Sequence, residues 1–173
     1  MNLLHAAVDG LIRAAKRQNN TRYASAQGMT ATTRAPRILV VEDQYFVALD
    51  CEQQLAAAGF DCVGVATTAA SALDLAEREK PDLIVMDVRM SSNADGVEAA
   101  IVIYERFGIR CIFATGHADE NIRREAARAR PLGWVEKPYS ADRLIAQIYR
   151  GLEEVGATVD VAAPRSMYVP TFH

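Results

Sequence analysis

Arg37-Ile38-Leu39-Val40-Val41-Glu42-Asp43 is the stretch on which the fold turns. Four consecutive apolar residues, three of them β-branched, run directly into two acids. An unbroken apolar run is expected of a parallel strand covered on both faces, where an exposed strand would alternate polar and apolar residues. Leu83-Ile84-Val85-Met86 repeats the pattern and ends in Asp87, and Cys111-Ile112-Phe113 runs into Ala114-Thr115-Gly116. Val63 and Val65 mark a weaker strand. Trp134 and Val135 mark another, followed by Glu136-Lys137-Pro138.

Helix-period stripes fill the gaps: Val47, Cys51, Leu55 and Ala58; Ala69, Ala72, Leu73 and Ala76; Val97, Ala100, Ile101 and Tyr104; Leu144, Ile145, Ile148 and Leu152, the last opened by a Ser140 cap. Asp119 to Arg130 is helix-prone but has few large apolar residues, so an exposed fourth helix is expected there. The chain therefore reads as an α/β fold, a (βα)5 doubly wound parallel five-stranded sheet. Right-handed crossovers favour the flavodoxin-like order 2-1-3-4-5.

Length and charge agree with this reading. The chain has 173 residues, 50% hydrophobic and 24% charged, which suits one core without disulfides or a structural metal. Its longest apolar run, Ala99 to Tyr104, is far too short for a membrane span. Cys51, Cys62 and Cys111 are odd in number and widely spaced, as expected of buried thiols in a reducing, cytoplasmic setting. Residues 1–36 hold five basic groups against Asp9 alone, a charge of +4, leaving 14 basic and 21 acidic groups, or −7, to residues 37–173. So acidic a body offers no footprint for DNA. Residues 1–35 read as an N-terminal extension with an amphipathic stripe and a linker, 36–154 as the folded domain, and 155–173 as a C-terminal tail.

In a doubly wound sheet the site lies beyond the carboxyl ends of the strands, where the strand order reverses. Glu42, Asp43 and Asp87 should converge there, because the first and third strands are neighbours. Three carboxylates in one crevice repel one another, and protonation or a hard cation with oxygen ligands relieves the repulsion; Mg²⁺ is the natural candidate. Any one of these acids alone reads as a helix cap or a solvated charge. Thr115 alone would be a strand-end cap and Lys137 alone a surface ammonium. Together they suit phosphoryl transfer to a carboxylate: a nucleophilic Asp, a bridging cation, and donors for the remaining oxygens.

The motifs Val40-Val41-Glu42-Asp43, Met86-Asp87, Asp95-Gly96, Phe113-Ala114-Thr115-Gly116 and Trp134-Val135-Glu136-Lys137-Pro138 resemble the receiver domain of two-component response regulators over residues 36–154. The resemblance implies that Asp87 accepts a phosphoryl group from a histidine kinase or histidine phosphotransfer protein. It implies that Glu42 and Asp43 hold Mg²⁺ with Asp87 and the backbone carbonyl of Arg89. Thr115 and Lys137 correspond to the residues that grip the phosphoryl oxygens, Lys137 pairing with Asp87 beforehand, and the Lys137-Pro138 bond is implied to be cis. Thr115 and Trp134 match the switch pair of the family; a Trp without a switching role is the alternative. Arg89 and His117, each two residues past a site residue, would tune phosphoryl lifetime, although His117 also reads as an ordinary loop histidine.

The loop after Asp87 lacks the family's usual proline and is one residue longer. With Phe113-Ala114-Thr115-Gly116, this resembles the stand-alone Phe-Ala-Thr-Gly subgroup, which acts through a downstream protein partner without a fused effector. A homodimer through the fourth helix, fifth strand and fifth helix is a further expectation, with Arg123, Arg124, Arg128 and Arg130 lending that face a basic edge. One rival is a receiver-like interaction module that never carries phosphate. Another is an α/β enzyme, either an aspartate-nucleophile phosphatase or a flavin protein. The phosphatase needs Asp-x-Asp where the sequence has Glu42-Asp43-Gln44-Tyr45, and the flavin needs a phosphate cradle where acids stand.

Overall fold

The apolar run at 38–41 forms β1 (Arg37–Val41), which lies inside the sheet with a strand on either side. The structure is a computed structural model describing residues 34–90, 96–116 and 119–157. After β1 come α1 (Tyr45–Ala57), β2 (Asp61–Ala66), α2 (Ala69–Glu79), β3 (Leu83–Asp87) and α3 (Gly96–Phe107). Then follow β4 (Cys111–Thr115), α4 (Glu120–Ala126), a 3-10 turn (Ala127–Ala129), β5 (Gly133–Glu136) and α5 (Ala141–Glu154). All pairings are parallel, in the order β2-β1-β3-β4-β5, as the sequence reading requires.

Strand pleating divides the core in two. Leu39, Val41, Ile84, Met86 and Phe113 face α2, α3 and α4, while Ile38, Val40, Leu83, Val85, Ile112 and Val135 face α1 and α5. Each fully buried aliphatic contributes roughly 1.5–3 kcal/mol, so the central strands are the firmest part of the domain. β2 is an edge strand, half-buried along most of its length. Cys62, on that edge, is accordingly half-buried, unlike Cys51 and Cys111, which are core thiols as expected.

Helix ends follow from local chemistry. The Ser140 hydroxyl accepts from the Arg143 N–H to open α5, as the sequence predicts, and the structure adds a reciprocal capping box between Thr68 and Ser71 on α2. In α1 the buried residues are Ala48, Cys51 and Leu55; Val47 is half-buried and Ala58 is the C-cap. The expected exposed helix over Asp119–Arg130 is present and mostly exposed, but it is shorter than that stretch and buries two alanines. Asp119 caps it, the α-helix stops at Ala126, and after the 3-10 turn Arg130 adopts a left-handed φ of 48°. Ala126 and Ala129 are fully buried. Their small side chains let the backbone approach the core closely, so the lack of large apolar residues did not mean a lack of burial.

At the opposite end from the acids, Arg34 makes a bidentate pair with Asp82 at 2.7 and 2.8 Å, and the Arg37 N–H donates to the same carboxylate at 2.8 Å. Arg34 is exposed, so its ion pair adds little; satisfying the Arg37 N–H inside the fold matters more.

Candidate functional site

β1 and β3 deliver their acids to one place. The Glu42 N–H donates to Ala66 O at 2.9 Å, extending the β1–β2 ladder by one residue and holding Glu42 at the rim. Asp87 is the last residue of β3, between β1 and β4. Glu42 and Asp87 are buried and Asp43 is half-buried, with one carboxylate oxygen from each lying within 4.8 Å of the others.

Lys137 reaches the same cluster from the far side. Its N–H donates to Thr115 O at 2.8 Å, continuing the β4–β5 ladder beyond β5, and the Lys137-Pro138 peptide is cis. Its Nζ donates to Glu42 Oε2 at 2.5 Å and to Asp87 Oδ2 at 2.9 Å. The other Asp87 oxygen, Oδ1, accepts from the Arg89 N–H at 3.3 Å. Thr115 closes β4 with its side chain buried, one residue past Ala114, the register partner of Asp87.

Electrostatics follow from this packing. Burial pushes the Glu42 carboxyl above its usual range and the Asp87 charge adds to the push, while the bond and charge of Lys137 pull the other way without cancelling it. Burial also works to lower the Lys137 pKa, but hydrogen bonds to Glu42 and Asp87 prevail and raise it. Three carboxylates against one ammonium leave excess negative charge in a partly dry site. Oxygen donors of this kind and number fit a hard divalent cation, and Glu42, Asp43 and Asp87 are the side chains that could hold it.

Gly96 sets the opposite wall. A Cβ there would sit 1.9 Å from the Asp87 carbonyl oxygen, and the Gly96 N–H donates to Val88 O at 3.1 Å. The start of α3 thus rests on the backbone of Asp87, an approach that only a residue without a side chain permits. Sequence reasoning quoted Asp95-Gly96 as a motif but missed this contact; the signal available was a glycine at the first position of a helix.

Trp134 on β5 is half-buried and lies flat on Phe113, with centroids 4.7 Å apart and planes at 29°. The guanidinium of Arg123 covers the ring at 4.6 Å. The expected basic edge along α4 and the 3-10 turn after it is therefore largely engaged: Arg128 pairs with Glu105 and Arg130 donates to Tyr104 Oη. The Arg89 side chain is exposed beside the site. His117, the segment 91–95 and Asp95 lie outside the described residues. Tyr45 and Phe46, which open α1 just after the acids, are the most exposed large apolar residues described. No helix among the described residues is long and apolar enough to cross a membrane.

The family model for the response regulator receiver domain matches residues 38–149. The chain is 32% identical over 112 residues to the transcriptional regulatory protein PdtaR of Mycobacterium tuberculosis, covering 65% of this chain and 54% of that protein. It thus spans about half of PdtaR's length. It is 29% identical to the chemotaxis protein CheY of Bacillus subtilis, covering 68% of this chain and 98% of CheY. Among solved structures, the signal receiver domain of a modulated diguanylate cyclase from Desulfovibrio desulfuricans superposes with a TM-score of 0.67 at 29% identity. That match covers 71% of this chain and 98% of the other.

Proposed function

The chain belongs to the response regulator receiver family, and on that premise we propose that it is a Mg²⁺-dependent phosphoacceptor that takes a phosphoryl group on Asp87. The observation that carries the reading is the buried Asp87 carboxylate bonded to Lys137 and clustered with Glu42 and Asp43. These groups come from the ends of β1, β3 and β5.

In the proposed step an Asp87 oxygen attacks the phosphorus of a phosphohistidine on a histidine kinase or phosphotransfer protein. The P–O bond forms as the P–N bond breaks, and the electron pair leaves with the imidazole nitrogen. Bound Mg²⁺, held by Glu42, Asp43, Asp87 and the Arg89 carbonyl, would neutralise charge developing on the phosphoryl oxygens. Lys137 shifts from the carboxylates to a phosphoryl oxygen, and the Thr115 hydroxyl donates to another. Such a chain acts as a regulator whose own chemistry is limited to gaining and losing this group.

Output then runs through a downstream protein that distinguishes the two states, or through a homodimer on α4, β5 and α5, with Thr115 and Trp134 as the switch. Arg89 and His117 flank the approach of water and set the lifetime. The Phe-Ala-Thr-Gly subgroup, in which a receiver acts without a fused effector, and a cytoplasmic location belong to the same proposal. So does the division into an extension (1–35), a receiver (36–154) and a tail (155–173).

Mass spectrometry after treatment with acetyl phosphate tests the function. One phosphoryl increment is expected in Mg²⁺, and none in EDTA or in Asp87→Ala. Labelling that persists in EDTA and in Asp87→Ala would overturn the assignment of Asp87, and none in any condition would favour a module that never carries phosphate.

A further inference from the structure

Resting on the phosphoacceptor reading, we propose that Arg123 is a positioning residue for the output of the site: its guanidinium clamps the Trp134 indole onto Phe113 and so biases the domain against the phosphorylated arrangement.

The geometry is a three-layer stack. Phe113, fully buried on β4, forms the floor; Trp134, its register partner on β5, lies over it at 4.7 Å; Arg123 closes the top at 4.6 Å. Both spacings are within the range of attractive aromatic and cation–π contacts. α4 brings Arg123 there because Asp119 caps the helix and Ala126, on its last turn, is buried against the sheet. Among the described residues Arg123 has no carboxylate partner, in contrast to Arg128, which pairs with Glu105. Its placement is thus set by the ring rather than by an ion pair.

The stack is continuous with the site. Phe113 and Thr115 are two residues apart on β4, so their side chains leave the same face of the sheet. A Thr115 hydroxyl drawn toward a phosphoryl group on Asp87 changes the packing beside Phe113, and the indole resting on Phe113 must adjust. Any adjustment that slides the ring from under Arg123 forfeits that contact. The contact then belongs to one arrangement more than to the other, which is the condition for it to shift their balance. The arrangement it favours is the one in which Lys137 is bonded to the Asp87 carboxylate.

Trp134 is the sole tryptophan, so its fluorescence reports on the stack without background. The test titrates the full chain, in Mg²⁺, with fluoroberyllate as the acyl-phosphate mimic. Arg123→Ala should alter the emission and acrylamide quenching of Trp134 before any addition. It should also lower the half-saturating fluoroberyllate concentration about 2- to 5-fold, the size of an exposed cation–π contact. Acetyl phosphate labelling should quicken by a similar factor. Arg123→Lys, which keeps the cation, should stay near wild type and so control for general changes in α4. An unchanged half-saturation in Arg123→Ala, with a normal Asp87-dependent response in wild type, overturns the role of Arg123 alone. The absence of any Asp87-dependent response in wild type overturns the phosphoacceptor reading and this inference together.

Discussion

Replacing Lys137 with Met removes an ammonium that bonds Glu42 at 2.5 Å and Asp87 at 2.9 Å while keeping most of its stem. The two carboxylate side chains are only 5% and 7% exposed, and Lys137 itself 19%, so solvent screens the pair weakly. Breaking a buried pair of this kind typically costs about 3–5 kcal/mol, because the remaining charges are left uncompensated. For a domain of this size that corresponds to a fall in Tm of roughly 12–20 °C. Thermal unfolding followed by circular dichroism at pH 7 in EDTA should show it. Acidification should narrow the gap, since protonated carboxyls no longer repel. Mg²⁺ should narrow it too: one cation fewer beside a divalent ion is worth on the order of 1–2 kcal/mol, so binding should tighten roughly tenfold. Near-identical Tm values in EDTA at pH 7, or a gap that widens on acidification, would refute the view that Lys137 neutralises this cluster.

Three further outcomes follow from the site. Gly96→Ala forces a Cβ to within 1.9 Å of the Asp87 carbonyl oxygen; overpacking of this sort costs about 1–3 kcal/mol, and a lower urea midpoint with slower acetyl phosphate labelling is expected. Glu42 has a raised folded pKa, so its contribution is fully present below its unfolded value and is lost as pH rises through the folded one. Glu42→Gln should therefore flatten the fall in stability as pH rises above the ordinary carboxylate range, measured by urea melts at successive pH values. Lys137, also raised, contributes below its ordinary value and loses that contribution only in strong alkali, so it adds no slope near the carboxylate range. Arg89→Ala and His117→Ala should each alter the dephosphorylation rate followed by loss of label, and an unchanged rate in either would defeat the lifetime role assigned to the pair.

Much of the architecture was legible because the central strands carry unbroken apolar runs. Val40-Val41 before Glu42 and Val85-Met86 before Asp87 mark both the strand and the end at which the chemistry lies. Strand order supplied the rest: once β1 and β3 are neighbours, Glu42, Asp43 and Asp87 must meet. Contacts that depend on the reach of long side chains were less legible. Nothing in the spacing of Glu42 and Lys137, 95 residues apart, says that the ammonium is shared between two acids rather than held by Asp87 alone. Arg123 read as part of a basic edge because one turn of helix can aim a guanidinium at solvent or at a ring, and only the position of Trp134 decides. Ala126 and Ala129 were missed for the opposite reason, since an alanine is as small in a tight core as on a surface.

Chemical trapping of the acyl phosphate bears most directly on the central claim. After acetyl phosphate treatment in Mg²⁺, borohydride reduction followed by peptide mapping should convert Asp87, and no other acid, to homoserine. Homoserine at Asp43, 5-hydroxynorvaline at Glu42, or no reduction above the untreated protein would contradict the assignment of Asp87 as the acceptor.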